Sequence, residues 1–132
     1  MDLSSLNWIA VLGATVAAFA LGAIWYGPLF GRRWMGFVGL SEADVQGANM
    51  GLTYGVTFVL QLIAVVVLAL VMGPEATLVT GALTGLGVGA AWVATAMGVN
   101  ALFSQESIGL YLINAGYHVA YYTLAGAILG AF

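Results

Sequence analysis

The sequence contains no cysteine, only two basic residues and a single histidine among its 132 residues. Without cysteine the chain can form no disulfide, no iron–sulfur or thiolate zinc site and no thiolate nucleophile. Two basic side chains cannot provide the positive surface that nucleic acid requires, so a nucleic-acid-binding function is excluded. The five acidic residues bring the formal net charge to −3.

Charged residues are also scarce overall. They make up 5% of this sequence, whereas soluble domains average about 25%. Hydrophobic residues make up 63%, and the mean hydropathy is +1.08. Such a chain cannot cover a water-facing surface with polar groups, and several of its apolar runs reach the ~20 residues that a helix needs to cross a bilayer. We therefore expect an all-α integral membrane protein.

The order of apolar runs and breaks predicts a four-helix bundle that forms a single membrane domain over residues 1–132. The predicted spans cover about residues 8–26, 51–72, 76–100 and 108–131, with one longer amphipathic cytoplasmic connection at about 27–50. The lead before Trp8 has no Lys or Arg, so the first span is expected to be retained and not removed as a secretory signal. Gly27-Pro28 is expected to end the first helix, because proline cannot continue the hydrogen-bond ladder.

The second predicted helix starts before its span. Ser41 followed three residues later by Asp44 matches a capping box, in which a hydroxyl and an acid satisfy the first backbone N–H groups. The helix is expected to run without interruption from about Glu42 to Met72, where Gly73-Pro74 ends it. At 1.5 Å per residue it exceeds the hydrocarbon core, so its first turns are expected outside the membrane.

The only basic residues, Arg32 and Arg33, follow the first span. By the positive-inside rule they place this connection in the cytoplasm and both termini on the extracytoplasmic side. The pair could instead bind an anionic lipid head group. Trp25 and Tyr26 close the first span, where aromatic side chains are typical of a membrane interface, and the interface motif also contains Pro28 and Trp34.

Glycines recur every fourth residue in two helices and create flat faces where a second helix can approach closely. The second helix carries one set and the third span the other: Gly47, Gly51 and Gly55, then Gly81, Gly85 and Gly89. Such spacing is common in membrane helices and first of all predicts internal packing. The alternative is self-association, which would make the protein a homo-oligomer or a member of a larger membrane complex.

The last predicted span carries polar side chains at membrane depth. Tyr111, Asn114, His118 and either Tyr121 or Tyr122 recur at spacings of three and four residues, which places them on one helix face. Two further polar residues complete the candidate site, Tyr117 beside His118 and Gln61 at a similar depth in the second span. The group could relay protons, hold a small polar ligand or cofactor, or serve only as hydrogen-bonded contacts between helices.

Several kinds of enzyme site are excluded within one chain. A lone histidine cannot form a two-histidine haem or zinc site. No carboxylate lies within a predicted span, which argues against paired-carboxylate catalysis. The serines lie at the predicted membrane surfaces, far in depth from His118, so a serine–histidine pair is not expected. We expect no enzymatic activity, no metal site and no cofactor.

Two segments resemble signatures of the bacterial DUF1761 family, proteins of unknown function. One is Trp25–Met35, with the sequence WYGPLFGRRWM, and the other is Leu112–His118, with the sequence LINAGYH. The resemblance implies a small multi-pass protein of the bacterial inner membrane and an activity that is not established. It draws attention to seven positions: Trp25, Tyr26, Pro28, Trp34, Asn114, Tyr117 and His118.

Two functional hypotheses follow. The first is a small homo-oligomeric transporter or channel-like protein in which His118 and Asn114 face a polar path, with the pathway between protomers because one small bundle encloses little space. The second is a non-catalytic accessory or interaction subunit of a larger membrane complex, since short loops and glycine faces suit contact with other membrane helices. Membrane lipids are expected partners in either case.

Overall fold

The computed structural model describes residues 2–47 and 49–132, which form helices and loops without a strand. A short 3₁₀ turn, Leu3–Ser5, precedes the first long helix. The helices are α1 (Trp8–Ile24), α2 (Gly31–Val38), α3 (Glu42–Gly47), α4 (Met50–Met72), α5 (Leu78–Gly87), α6 (Ala94–Phe103) and α7 (Ile108–Ala131). The described chain also contains two π-helical segments. Trp25–Leu29 extends α1, and Val88–Val93 joins α5 to α6. The all-α prediction is confirmed.

Within the described residues, three continuous helices are long and apolar enough to cross a membrane: Trp8–Leu29, Met50–Met72 and Leu78–Phe103. They correspond to the first three predicted spans. The fourth predicted span is α7, which has 24 residues and is therefore long enough. Its tyrosines, asparagine and histidine make it less apolar, and it is not among the three.

Helix α7 occupies the middle of the structure. Its most extensive contact is with α5, and it also packs against α1, α4, α6 and the second π-helical segment. Seven of its residues are buried, compared with three of the residues in α4. A helix surrounded by other helices presents its polar side chains to protein, so it needs less apolar surface than a helix facing lipid.

Both ends of the described chain lie at the same end of the bundle. The Asn7 side-chain amide donates a hydrogen bond to the carbonyl oxygen of Phe132, at 3.2 Å. A surface cavity of about 440 Å³ there is lined by both chain ends and by Gly73 and Pro74. The four long helices therefore alternate in direction along the chain.

The prediction that Gly27-Pro28 ends the first helix is wrong. Pro28 lies inside the π-helical segment, and the helix continues to Leu29. A proline ring collides with the carbonyl four residues before it in an α-helix. Here the ladder widens to a five-residue spacing, with the Phe30 N–H donating to the Trp25 carbonyl oxygen at 2.8 Å.

The prediction of one uninterrupted helix from Glu42 to Met72 is also wrong. The capping box at Ser41 is confirmed: the Asp44 carboxylate accepts from the Ser41 N–H, and the Ser41 hydroxyl accepts from the Asp44 N–H. Helix α3 ends at Gly47, however, and α4 starts anew at Met50. The Asn49 side chain caps this second start by accepting the Leu52 N–H at 3.1 Å. An asparagine side chain competes for backbone N–H groups in this way and favours a helix start over a helix interior.

The third span begins at Leu78 and ends at Phe103, close to the predicted 76–100. Thr77 caps it through a reciprocal pair of hydrogen bonds with Thr80. The turn to α7 places Gln105 at φ 57°, and the Ser107 hydroxyl accepts the Leu110 N–H to start the last helix.

The two glycine faces have different surroundings. At Gly81 and Gly85 a Cβ atom would overlap the backbone carbonyls of Gly126 and Tyr122, and at Gly89 it would lie 2.9 Å from the Cα of Val119. This face is therefore filled by α7 of the same chain. At Gly47 and Gly55 a Cβ atom would have nothing within 4 Å, and at Gly51 it would meet only the nearby Asn49 side chain. Gly47 ends α3 whereas Gly51 and Gly55 belong to α4, so the predicted second face is divided between two helices, and no other helix of the described chain covers either part.

Candidate functional site

The two segments that stand out in the sequence contact each other directly. The Trp25 indole N–H donates to the carbonyl oxygen of Ile113 at 2.9 Å. The Tyr26 hydroxyl donates to the side-chain oxygen of Asn114 at 2.8 Å. Both aromatic side chains are half-buried. They contact α7, whereas the sequence predicted an aromatic belt at the membrane interface. The end of the first helix is thus held against the first half of α7.

Tyr117 joins three helices through one hydroxyl group. The hydroxyl donates to the carbonyl oxygen of Ala18 on α1 at 2.7 Å and accepts from the Gln61 amide of α4 at 2.5 Å. Tyr117 is 6% exposed and Gln61 is 7% exposed. Because both side chains are buried, each bond satisfies a polar group that would otherwise be costly to bury.

Small residues on α1 make room for these contacts. Ala14 and Ala18 are fully buried, and one turn further a Cβ atom at Gly22 would lie 3.0 Å from the Tyr117 hydroxyl oxygen. Ala18 and Gly22 therefore form the surface on which Tyr117 lies, whereas Ala14, one turn earlier in the same stripe, packs against Val65 and Ala125. This stripe was not predicted from the sequence, although its four-residue spacing is the same signal that drew attention to the glycine faces.

Four aromatic rings of α7 pack in series, beginning with Tyr117. Its ring stacks on that of Tyr121 with centroids 5.4 Å apart, and Tyr121 stacks on Tyr122 at 4.3 Å. The His118 ring lies 5.4 Å from Tyr117 and 5.5 Å from Tyr121, at steep angles to both. The imidazole is thus flanked by aromatic ring faces and edges.

Two side-chain atoms in this region are buried without a hydrogen-bond partner among the described residues. They are Oε1 of Gln61 and Nδ1 of His118. Both side chains flank Tyr117, Gln61 through its hydrogen bond and His118 through its ring. A buried polar atom without a hydrogen-bond partner is costly in free energy. These two atoms are therefore the unsatisfied polar positions of the region.

Comparison with known proteins identifies the family. The family model described as "Protein of unknown function (DUF1761)" matches residues 9–130. The chain belongs to the DUF1761 family. Both segments that carry the resemblance lie inside the matched range. Comparison with curated proteins and with solved structures gives no match.

The polar side chains of α7 in this DUF1761 protein contact different neighbours. Tyr111 donates to the Ala94 carbonyl oxygen on α6 at 2.8 Å, whereas Asn114 bonds Tyr26 and Tyr117 bonds α1 and α4. The predicted ladder is thus divided between two sides of the helix. Across residues 2–47 and 49–132, no three histidine or acidic side chains come close enough to hold a metal ion.

The rest of the first DUF1761 segment lies at the end of the bundle where α7 begins. Trp34 packs edge-on against Tyr26, with ring centroids 5.8 Å apart. Arg32 and Arg33 are exposed on α2, the short helix that follows the first span. The segment therefore has an aromatic part that anchors α7 and a basic part at the surface.

Proposed function

We propose that this DUF1761 protein is a four-span membrane protein with α7 as its inner span, and that it acts as a small transporter or channel for a polar solute. The observation that carries this proposal is the pair of buried atoms without partners, Gln61 Oε1 and His118 Nδ1. The Gln61 amide bonds the Tyr117 hydroxyl, which already donates its hydrogen atom to Ala18, and the His118 ring packs against the Tyr117 ring. A bundle that served only to pack helices would gain nothing from leaving them unsatisfied.

The chemistry of these atoms favours a small uncharged solute that donates hydrogen bonds. The Gln61 oxygen only accepts, and a neutral imidazole accepts at one of its two nitrogens. No acidic residue lies between Trp8 and Leu29, Met50 and Met72, or Ile108 and Ala131 to balance a cation. Asn114, half-buried four residues before His118, lies along the same helix toward its first turn.

The arrangement in the membrane follows from the arginines and the family. Arg32 and Arg33 support a cytoplasmic location for the α1–α2 end of the bundle and an extracytoplasmic location for both termini. A bacterial inner membrane is the location that accords with the family resemblance. We infer a homo-oligomer as the working unit, because one bundle with an inner helix leaves little room for a continuous path.

The test is solute entry into proteoliposomes. Urea and glycerol, which are small and uncharged, serve as probes and are followed by light scattering, and an enclosed pH-sensitive dye follows protons, the alternative cargo of a relay through His118. The proposal expects faster entry of at least one probe with the wild-type protein, and loss of that increase in His118→Leu and Gln61→Leu. The control is Tyr54→Phe, on the exposed face of α4. Equal entry with His118→Leu, in protein that folds normally, would remove the proposed role of this site.

The open face of α4 supports a second candidate function, that of an accessory subunit. Nothing in the described chain packs on Gly51 or Gly55 of α4 except the nearby Asn49 side chain. A smooth helix face of this kind suits contact with a helix of another protein. Gentle extraction of the tagged protein from its native membrane, followed by mass and composition analysis, separates the two candidates. Recovery in fixed stoichiometry with other membrane proteins favours the accessory role, and recovery of a homogeneous homo-oligomer favours the transporter.

A further inference from the structure

We infer that the groove between α2 and α7 is a binding site for one anionic phospholipid, with an acyl chain in the groove and the phosphate group on Arg33. The groove has a volume of about 700 Å³, within the range of roughly 300–1,000 Å³ typical of ligand sites. Its principal lining residues are Trp25, Phe30, Arg33, Phe37, Leu112 and Ile113. This proposal does not depend on the transport function.

The walls of the groove are apolar and firmly held. The Trp25 indole N–H is occupied by the Ile113 carbonyl oxygen, and the Trp25 ring lies 4.9 Å from that of Phe30. The wall therefore offers no free indole donor and presents ring surface. Phe37 is 46% exposed and Leu112 is 59% exposed, so apolar side chains remain open to whatever fills the groove. An acyl chain would cover them.

Two glycines shape the groove. Gly36 lies on its α2 side with nothing within 4 Å of a Cβ position, so a side chain there would project into free space. Gly109 lies on the α7 side, where a Cβ would overlap the Phe37 ring. The ring can approach α7 this closely only because the residue at 109 is glycine.

Charge decides which class of lipid fits. Arg33 is the only charged residue that lines the groove, and it lies at the end of the bundle where the helices leave the apolar span. A guanidinium group binds a phosphate oxygen pair through two parallel hydrogen bonds. Of the two acidic residues on the following helix, Glu42 and Asp44, the second is already bonded to Ser41. A cation above an apolar groove matches a phospholipid with net negative charge.

Adjacent Arg32 provides a matched control. It carries the same charge one residue away and is exposed, but it does not line the groove. Removing either arginine lowers the basic charge of this membrane surface equally. Only removal of Arg33 would remove the group that contacts the phosphate.

The experiment is native mass spectrometry of the purified protein with added phosphatidylglycerol, phosphatidylcholine of the same chains, or glycerol 3-phosphate. The wild-type protein is expected to bind one phosphatidylglycerol per chain in preference to phosphatidylcholine, and no glycerol 3-phosphate. Arg33→Gln is expected to weaken phosphatidylglycerol binding roughly fivefold or more, the effect of about one surface arginine. Arg32→Gln is expected to weaken it much less. Gly36→Leu fills the groove without changing charge and is expected to weaken binding of both lipids.

Three results would overturn the inference. Equal losses in Arg32→Gln and Arg33→Gln would show only a general attraction to basic residues. Unchanged binding in Gly36→Leu would show that the groove is not used. Binding of glycerol 3-phosphate as tight as that of the lipid would show that the site recognises a free phosphate group. Arg33→Lys retains the charge and provides a second, conservative variant if Arg33→Gln fails to fold.

Discussion

Tyr117 has a structural role, because its side chain holds three helices together. Its hydroxyl bonds α1 and α4 from α7, so it connects three helices that are far apart in sequence. The same hydroxyl holds the Gln61 amide, and this fixes the direction of the unpaired Gln61 oxygen. Stability and any solute-binding role are therefore expected to share this residue.

Replacing Tyr117 with Phe tests the structural role. The change removes the hydroxyl, keeps the ring stack with Tyr121, and leaves the Gln61 amide without its acceptor. We expect a loss of roughly 0.6 to 1.7 kcal/mol in unfolding free energy, the range found for hydrogen bonds between membrane helices. Equilibrium unfolding in mixed micelles measures it. Tyr54→Phe, at a position that is 53% exposed, is the control and is expected to change little. Equal stability of all three proteins would contradict the described contacts.

Asp44 gives a prediction of pH dependence outside the spans. The N–H and hydroxyl groups of Ser41 bond its carboxylate and lower its pKa below the usual 3.8. Since these bonds favour the charged form, the capping contribution is present above pH 3.8 and is lost as the pH falls through the lowered pKa. A carboxyl NMR titration is expected to give a midpoint below 3.8, and Ser41→Ala is expected to raise it. The backbone N–H of Ser41 remains in this variant, so an unchanged midpoint would rule out the contribution of the Ser41 hydroxyl.

At the scale of elements, the crossing of α5 and α7 depends on the absence of side chains. Gly85→Ala would place a methyl group on the Tyr122 carbonyl and force the two backbones apart. We expect a loss of about 1–3 kcal/mol in unfolding free energy, as for overpacked cores. Gly87→Ala, where a Cβ meets nothing within 4 Å, is the control and is expected to be neutral or to stabilise by up to about 1 kcal/mol. Thermal unfolding in detergent compares the two, and equal midpoints would contradict the close crossing.

Composition and periodicity predicted the helical elements well. Apolar runs located the long helices to within a few residues, because a membrane span leaves little choice of length or character. The breaks were harder to predict. Pro28 was expected to stop a helix and instead lies in a π-helical turn, and Asn49 interrupts a helix that the apolar pattern alone would continue. A π-helical turn at Pro28 and a side-chain cap at Asn49 decide where these helices break. Hydrophobic periodicity contains no information about either feature.

The candidate site could be predicted only in part. Polar residues at membrane depth are rare enough to attract attention, so His118, Asn114, Tyr117 and Gln61 could be singled out from the sequence. Their hydrogen-bond partners could not be predicted from the sequence. The carbonyl of Ala18 carries no side-chain signal, and the contact of Trp25 with Ile113 depends on how α1 and α7 pack. Contacts between residues about a hundred positions apart can be identified only once the fold is known.

At the scale of the whole molecule, the position of α7 explains its composition. It is the least apolar of the four long helices and lies between the others. The more apolar helices present exposed side chains such as Leu60, Leu83 and Trp92 around it. Three apolar helices around one polar-faced helix is the arrangement expected if the outer surface meets lipid and the inner helix meets protein.

The membrane sidedness of the two ends of α7 decides whether this helix is the fourth span. The chain has no native cysteine, so single cysteines at Ser5, Ser104 and Phe132, all exposed positions, can be labelled with a membrane-impermeant maleimide. If α7 is the fourth span, Ser5→Cys and Phe132→Cys react from the outside of intact cells and Ser104→Cys reacts only after the membrane is opened. Reaction of Ser104→Cys and Phe132→Cys from the same side would show that α7 does not cross the membrane.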